Sequence, residues 1–376
     1  MRVIIVGNGA AGNQAAQTLR VKDAEAEITI LGQEEMNFYS ACALPDYLAG
    51  WIPRQQLFIK DHSCYERENI SLHLGCRVND IDPLKNELWV DGHIWRYDQL
   101  ILATGSRPLL PPVPGSSLPG NFVVKTVADI DQILLRQPRK VVVVGSGNIG
   151  VEVAEALEIR GCEVSIVEMQ DRIMPRLLDR YPSSMARSIL ERHGVTIYTE
   201  EKSLEVKGVN DIEALVTNKR VLDCDTVIWA AGVKQNTELA ALAGLKIGSL
   251  GGIVVNTYMQ TSRENIWACG DCIECQDLLT GKPVLSLLWP SAKAQGYVAA
   301  LNCLGLKTEY PGAFNVIVEE LYGLPIAAAG LREDDLAPDH QVREVEYRGG
   351  YYRFLIQNNH LVGIQSIGSL DGLGPL

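Results

Sequence analysis

Within this 376-residue chain one cysteine stands apart, Cys42, in the stretch NFYSACALPDYLAG at residues 37 to 50. A structural cysteine usually lies in a periodic apolar run, where it serves as a small hydrophobe. Cys42 instead follows Tyr39 and Ser40 and precedes Leu44-Pro45, which reads as the start of a short helix with proline in its first turn. A thiolate in such a place can cycle as a sulfenic acid or as a mixed disulfide. Packing is the plain alternative, and the same choice holds for the flanking Tyr39 and Tyr47. Cys269, Cys272 and Cys275 have a C-x2-C-x2-C spacing seen in iron–sulfur ligation. Asp271 lies inside that run and no fourth ligand is evident. The six histidines show no metal-ligand spacing, so no metal site is expected.

Two other constellations bind phosphate. In VIIVGNGAAGNQAAQTLR, residues 3 to 20, a β-branched run enters a G-x-G-x-x-G turn at Gly7, Gly9 and Gly12 and leaves as a helix, with ITIL as the next strand. The first glycine permits the turn, the second lets backbone approach a pyrophosphate, and the third lets helix pack on strand. The pyrophosphate then meets the free N–H groups of the helix N-terminus. KVVVVGSGNIGVEVAEALEIRGCEVSIVEMQDR, residues 140 to 172, repeats the device with Gly145, Gly147 and Gly150. Its second strand ends on Glu168, where a carboxylate accepts from a ribose 2′-hydroxyl and repels a 2′-phosphate. NADH is therefore expected over NADPH, with Arg172 four residues on as the one local counter-indication. In the first unit Glu34 is favoured over Glu35 as the ribose ligand, with a plain exposed glutamate as the equal alternative.

Further elements must position these residues. YDQLILATGSRP (97–108) is a strand closing on Thr104-Gly105, DTVIWAAGVKQNTE (225–238) repeats the idea, and ENIWACGDC (264–272) is a strand running into Gly270-Asp271. The Pro- and Gly-rich segment 108–120 reads as a linker. The run EVAEALEIR reads as a solvated helix face. Beyond residue 306, FNVIVE, QVREVEYR, YYRFLIQ and LVGIQSIG read as antiparallel strands of a small domain.

The composition is that of an ordinary globular protein, 47% hydrophobic and 21% charged, long enough for two or three domains. A net charge of −12 argues against a nucleic-acid partner and leaves an anionic surface open to a basic protein. The N-terminus enters a strand directly and is not expected to be a signal peptide. No apolar run reaches the ~18 residues of a membrane span. Nine scattered cysteines imply no disulfide framework, and a cytoplasmic location is the expectation.

In order and spacing over roughly residues 1 to 305, these motifs resemble the FAD- and NAD(P)H-dependent pyridine nucleotide-disulfide oxidoreductase superfamily. The resemblance implies an α/β fold with two Rossmann-like dinucleotide-binding domains and a small α+β C-terminal domain. FAD would be bound by a discontinuous domain, 1–112 and 235–305, NAD by 113–234, and 306–376 would form an interface domain, short or truncated, of a homodimer. It implies FAD contacts from Gly7, Gly9, Gly12, Glu34, Thr104, Gly105, Arg107, Gly270 and Asp271, the last on the ribityl chain, and nicotinamide dinucleotide contacts from Gly145, Gly147, Gly150, Glu168 and Gly232. LLWPSAKAQGYVAALN (287–302) resembles the helix whose N-terminal end points at the flavin pyrimidine, where its dipole favours negative charge.

Dithiol members carry a C-x4-C pair, but positions 37 and 47 are Asn and Tyr here. Cys42 resembles instead the single redox cysteine of NADH oxidases, NADH peroxidases and coenzyme A-disulfide reductases, CALP especially the last. A flavin and a helix N-terminus nearby would lower its pKa. The implied activity moves electrons from NADH through flavin to a small disulfide, or to oxygen, by way of Cys42. Three departures are visible. Ala10 stands where peroxide- and oxygen-reducing relatives have histidine, Ala41 where coenzyme A-disulfide reductases have a polar residue, and Asn148 where many relatives place an aromatic gate. These also resemble rubredoxin reductases and nitrite reductase flavin domains, which leaves open an iron–sulfur protein partner or a subunit of a larger redox complex.

Overall fold

The computed structural model describes residues Met1–Asp371, and its contacts divide them into two compact units. The first comprises Met1–Cys42, Arg54–Arg107 and Lys234–Phe314. Its centre is a five-stranded parallel sheet in the order Ile266–Ala268, Gln99–Leu102, Arg2–Val6, Glu27–Leu31, Ile70–His73. Parallel strands are covered on both faces, so they read as continuous apolar runs. Val3, Ile5, Leu100, Ile101 and Leu102 are accordingly fully buried. The helices Ala10–Lys22 and Trp289–Cys303 meet closely beside the sheet: a Cβ on Gly296 would lie 2.3 Å from the Ala11 carbonyl oxygen. An antiparallel meander, Val78–Asp82, Glu87–Val90 and His93–Arg96, completes the unit.

The second unit comprises Ala43–Pro53, Pro108–Val233 and the described residues from Asn315 on. It repeats the parallel plan in the order Thr196–Tyr198, Glu163–Val167, Lys140–Val144, Thr226–Trp229, Asn121–Val123. Around that sheet run the helices Asn148–Ile159, Arg180–Arg192 and Val127–Arg136. The last begins with a reciprocal cap: Thr126 Oγ accepts from the Asp129 N–H and Asp129 accepts from the Thr126 N–H. The expectation counts 43–53 with 1–112, yet the helix Leu44–Ala49 packs on Asn148–Ile159 and Val127–Arg136 and so groups with the second unit. Segment 108–120, read as a linker, lies against this unit, and a Cβ on Gly115 would strike the Val206 carbonyl at 1.9 Å.

Past residue 315 an antiparallel sheet has the order Val316–Leu321, Leu324–Gly330, His360–Ile367, Gly350–Gln357, Gln341–Tyr347. Strand Leu324–Gly330 was not legible, because LPIAAAG has an early proline, a run of alanines and no alternation. Arg353 ties this sheet to the helix Arg180–Arg192. Its side chain, only 10% exposed, donates to Asp179 at 3.0 Å and also pairs with Glu333 and Glu344.

The acidic face of Asn148–Ile159 is not solvated, contrary to the sequence reading. Glu155 is 3% exposed and accepts from the Tyr322 N–H at 2.6 Å, and Glu158 accepts from the Tyr322 hydroxyl at 3.0 Å. Glu152, Glu155 and Glu158 recur every third residue and so share one helix face, and that face meets strand Val316–Leu321 with its Glu319 and Glu320. Burial is the main cause that pushes the carboxyls up, Glu152 to about 9 and Glu155 and Glu319 to about 7. Among the described residues no helix is long and apolar enough to cross a membrane.

Candidate active site

In the first unit the glycines of the turn after Arg2–Val6 divide by function. A Cβ on Gly7 would lie 2.0 Å from the Ala103 carbonyl oxygen, and one on Gly12 would lie 2.1 Å from that of Gly7. Both are demanded by the protein's own packing. Gly9, the N-cap of Ala10–Lys22, has nothing within 4 Å of a Cβ, so its backbone faces open space at the positive end of a helix. A helix N-terminus of this kind can accept an anion. The loop after Glu27–Leu31 lies against the same turn, with the Asn8 amide donating to the Met36 carbonyl. Glu34 sits in this loop, exposed, and accepts from the Tyr39 hydroxyl at 2.8 Å.

Asp271 follows the strand Ile266–Ala268 and accepts from Ser106 Oγ at 2.7 Å. Ser106 is buried and was not singled out in the sequence. The Gly270 N–H donates to Gln295 on the helix Trp289–Cys303, which fixes the turn that carries Asp271. Thr104 and Gly105 are tied to Asn236: Thr104 Oγ donates to the Asn236 carbonyl at 2.7 Å, and the Asn236 amide and N–H donate to the Thr104 and Gly105 carbonyls. Arg107 is engaged with Asn236 and Glu238, so its contact is with this protein surface. Neither Gln295 nor Asn236 carries a sequence signal of its own.

Cys42 lies on the 3₁₀ turn Ala41–Ala43 and is exposed. Phe38, four residues before it, stacks on Trp289 at 5.6 Å with the rings 9° from parallel. The cysteine segment is thereby anchored at the start of the helix Trp289–Cys303, whose N-terminus lacks a side-chain cap. Cys269, Cys272 and Cys275 are different in kind. All three are buried, and burial pushes their thiols up, Cys275 to about 11. A neutral, enclosed thiol is a poor nucleophile. Cys272 donates to the Leu102 and Cys269 carbonyls, and among the described residues no three ligating side chains converge as a metal site.

The second unit repeats the geometry. Cβ atoms on Gly145 and Gly150 would strike the Ala230 and Gly145 carbonyls at 2.4 and 2.1 Å, whereas Gly147 again faces open space. Glu168 is buried behind this turn and accepts from the Ser146 N–H and Oγ at 2.8 and 2.7 Å and from the Gln170 N–H at 2.8 Å. A carboxylate has about four acceptor positions, and these three hydrogen bonds fill three of them. Gly232 sits at the end of the turn after Thr226–Trp229 with φ +106° and open space before it. Asn148, the expected gate position, hydrogen-bonds with Glu319.

Two dinucleotide cradles and one exposed cysteine define a two-cofactor redox protein, and comparison with known proteins agrees. Residues 1–296 match the model of the pyridine nucleotide-disulphide oxidoreductase family. The chain is 37% identical to an NADH oxidase of Methanocaldococcus jannaschii, over 88% of this chain and 76% of that protein. It is 30% identical to an NAD(P)H sulfur oxidoreductase (CoA-dependent) of Pyrococcus furiosus, over 98% and 88%. The solved structure of an NAD-dependent persulfide reductase from A. fulgidus superposes with a TM-score of 0.93 at 30% identity, covering 98% of this chain and 74% of that one. The chain belongs to the pyridine nucleotide-disulphide oxidoreductase family and is an oxidoreductase.

Proposed function

We propose that this protein binds FAD at the first glycine turn and NADH at the second, and passes electrons from NADH to a small disulfide, with oxygen as the next acceptor. Residues 1–112 with 235–305 would bind FAD, 113–234 NADH, and 306–376 would serve as an interface domain. The fit of both nucleotides rests on Gly9 and Gly147, each of which leaves room that a single Cβ would fill at a helix N-terminus. Glu34 would hold the adenosine ribose of FAD, and Asp271, oriented by Ser106, the ribityl hydroxyls. Thr104 and Gly105, braced by Asn236, would close over the flavin. Glu168 would hold the ribose of NADH. A bound flavin supplies the two-electron relay between reduced nicotinamide and acceptor.

The observation that carries the disulfide reading is Cys42 itself, exposed in the segment whose Phe38 stacks on Trp289, while Cys269, Cys272 and Cys275 are buried. Its thiolate would attack one sulfur of the substrate, forming a mixed disulfide and releasing the other half as a thiolate. The names of the sulfur and persulfide reductases among the relatives support this acceptor class. The deciding experiment is steady-state NADH oxidation against oxygen, coenzyme A disulfide, a persulfide and a small iron–sulfur protein. Turnover with the disulfide or persulfide, lost in Cys42→Ser, is the expected result. Turnover with the iron–sulfur protein alone, indifferent to Cys42, would reassign the protein as a partner reductase.

A further inference from the structure

Arg172 is the cation nearest in sequence to Glu168, and an arginine in this neighbourhood is what a Rossmann unit uses to take a 2′-phosphate. Here it is otherwise engaged. Its side chain is 12% exposed, and its guanidinium donates to Asp171 Oδ1 at 3.0 Å and to the Leu178 carbonyl at 3.2 Å and forms a further ion pair with Asp334. Asp334 belongs to the 3₁₀ turn Glu333–Asp335 of the C-terminal sheet, 162 residues away in sequence. Two more contacts bind that turn to the loop following Glu168. Arg332 donates to the Pro175 carbonyl at 2.6 Å, and the Glu333 N–H donates to Asp179 at 3.0 Å.

We infer that Asp334, with Asp171, is a specificity-determining clamp: it holds Arg172 away from the coenzyme and so keeps the site selective for a dinucleotide without a 2′-phosphate. The clamp rests on the reading of Glu168 as the ribose acid, and it adds a determinant contributed from the C-terminal sheet. Asp171, which also pairs with Arg180, and Asp334, which also lies 3.9 Å from Arg332, engage the Arg172 guanidinium in charge-assisted contacts that a 2′-phosphate must outcompete. Glu168 supplies repulsion, and the clamp removes the attraction that would offset it.

The test uses the full chain with AMP and adenosine 2′,5′-bisphosphate as probes, measured by calorimetry, beside kcat/KM for NADH and NADPH. Asp334→Asn keeps the side-chain shape and removes the charge, and Asp171→Asn/Asp334→Asn removes both charges. The ratio of affinities should move toward the 2′-phosphorylated probe by roughly tenfold, about one charge-assisted hydrogen bond, most in the double variant. Adding Arg172→Gln should abolish the gain, and the gain should shrink as salt is raised. Variants that melt as the wild type does and leave the ratio unchanged would overturn the clamp, as would a gain that survives Arg172→Gln. Glu168→Gln separates the two ideas. A ratio that fails to move there overturns the ribose assignment, whereas a ratio that moves there and not in the clamp variants overturns the clamp alone.

Discussion

Asp271 shares its carboxylate with Ser106, and the pair predicts a graded loss of flavin. Asp271→Ala removes an acceptor whose hydrogen bonds contribute roughly 1.5–3 kcal/mol each, so purified protein should lose most of its flavin. Ser106→Ala removes one hydrogen bond to the carboxylate and leaves the carboxylate in place, and flavin affinity should weaken by about tenfold or less. Flavin content and a titration of apoprotein with FAD check both, and an Asp271→Ala protein that stays fully yellow would remove that residue from the site. Cys42 makes the second claim at this scale. In Cys42→Ser, disulfide-dependent NADH consumption should fall by roughly three orders of magnitude or more, since a nucleophile is missing. Reduction of an artificial dye by NADH should continue. If disulfide turnover persists, Cys42 is packing.

Helix Asn148–Ile159 and strand Val316–Leu321 press carboxyls together, which makes the stability of the second unit depend on pH. Facing one another are Asp46, Glu152, Glu155, Glu319 and Glu320, with His193 the nearby group that opposes the trend. Burial, then like charge, raises the folded pKa of Glu152 to about 9 and of Glu155 to about 7, from 4.5 in the free side chain. The folded state therefore holds more protons than the unfolded chain between those values. Their stabilising contribution is complete below about pH 4.5 and is lost as pH rises through 7 and then 9. Glu152→Gln stays neutral throughout, so its advantage in denaturant unfolding should be small at pH 5 and grow toward pH 9. An advantage independent of pH would show that the carboxyl is not titrating there. The opposite element contact is the buried Arg353–Asp179 pair. Arg353→Ala leaves Asp179 uncompensated, and a loss of roughly 3–5 kcal/mol is expected by denaturant unfolding. Arg353→Met, similar in length but neutral, should lose a comparable amount if the buried charge is what matters.

At the scale of the whole molecule the same turn is used twice for two ligands, and substitutions should separate them. Gly9 and Gly147 adopt backbone angles open to alanine and have nothing within 4 Å of a Cβ. Gly9→Ala should lower flavin content and spare NADH binding, and Gly147→Ala should do the reverse, with the melting temperature of ligand-free protein unchanged in both. Gly12→Ala is different because its Cβ meets the Gly7 carbonyl at 2.1 Å, so the fold itself should lose roughly 1–3 kcal/mol. Equal melting temperatures for Gly9→Ala and Gly12→Ala would contradict the division of the three glycines.

What the sequence by itself determined was local: both glycine turns, the strands that feed them, the strand-end acid Glu168, and the odd placement of Cys42. Each depends on residues within about one βαβ unit, where backbone sterics and periodicity leave few alternatives. What only the tertiary structure decided was which side chains meet across the chain. Ser106 reaches Asp271 over 165 residues, and Arg172 reaches Asp334 over 162. The acids of EVAEALEIR have the spacing of a solvated face, and only the strand at Val316–Leu321 makes that face an interior one. Strand Leu324–Gly330 is likewise held by partners on both sides and not by its own alternation. Burial is a property of the neighbour that arrives, and no local pattern encodes that neighbour.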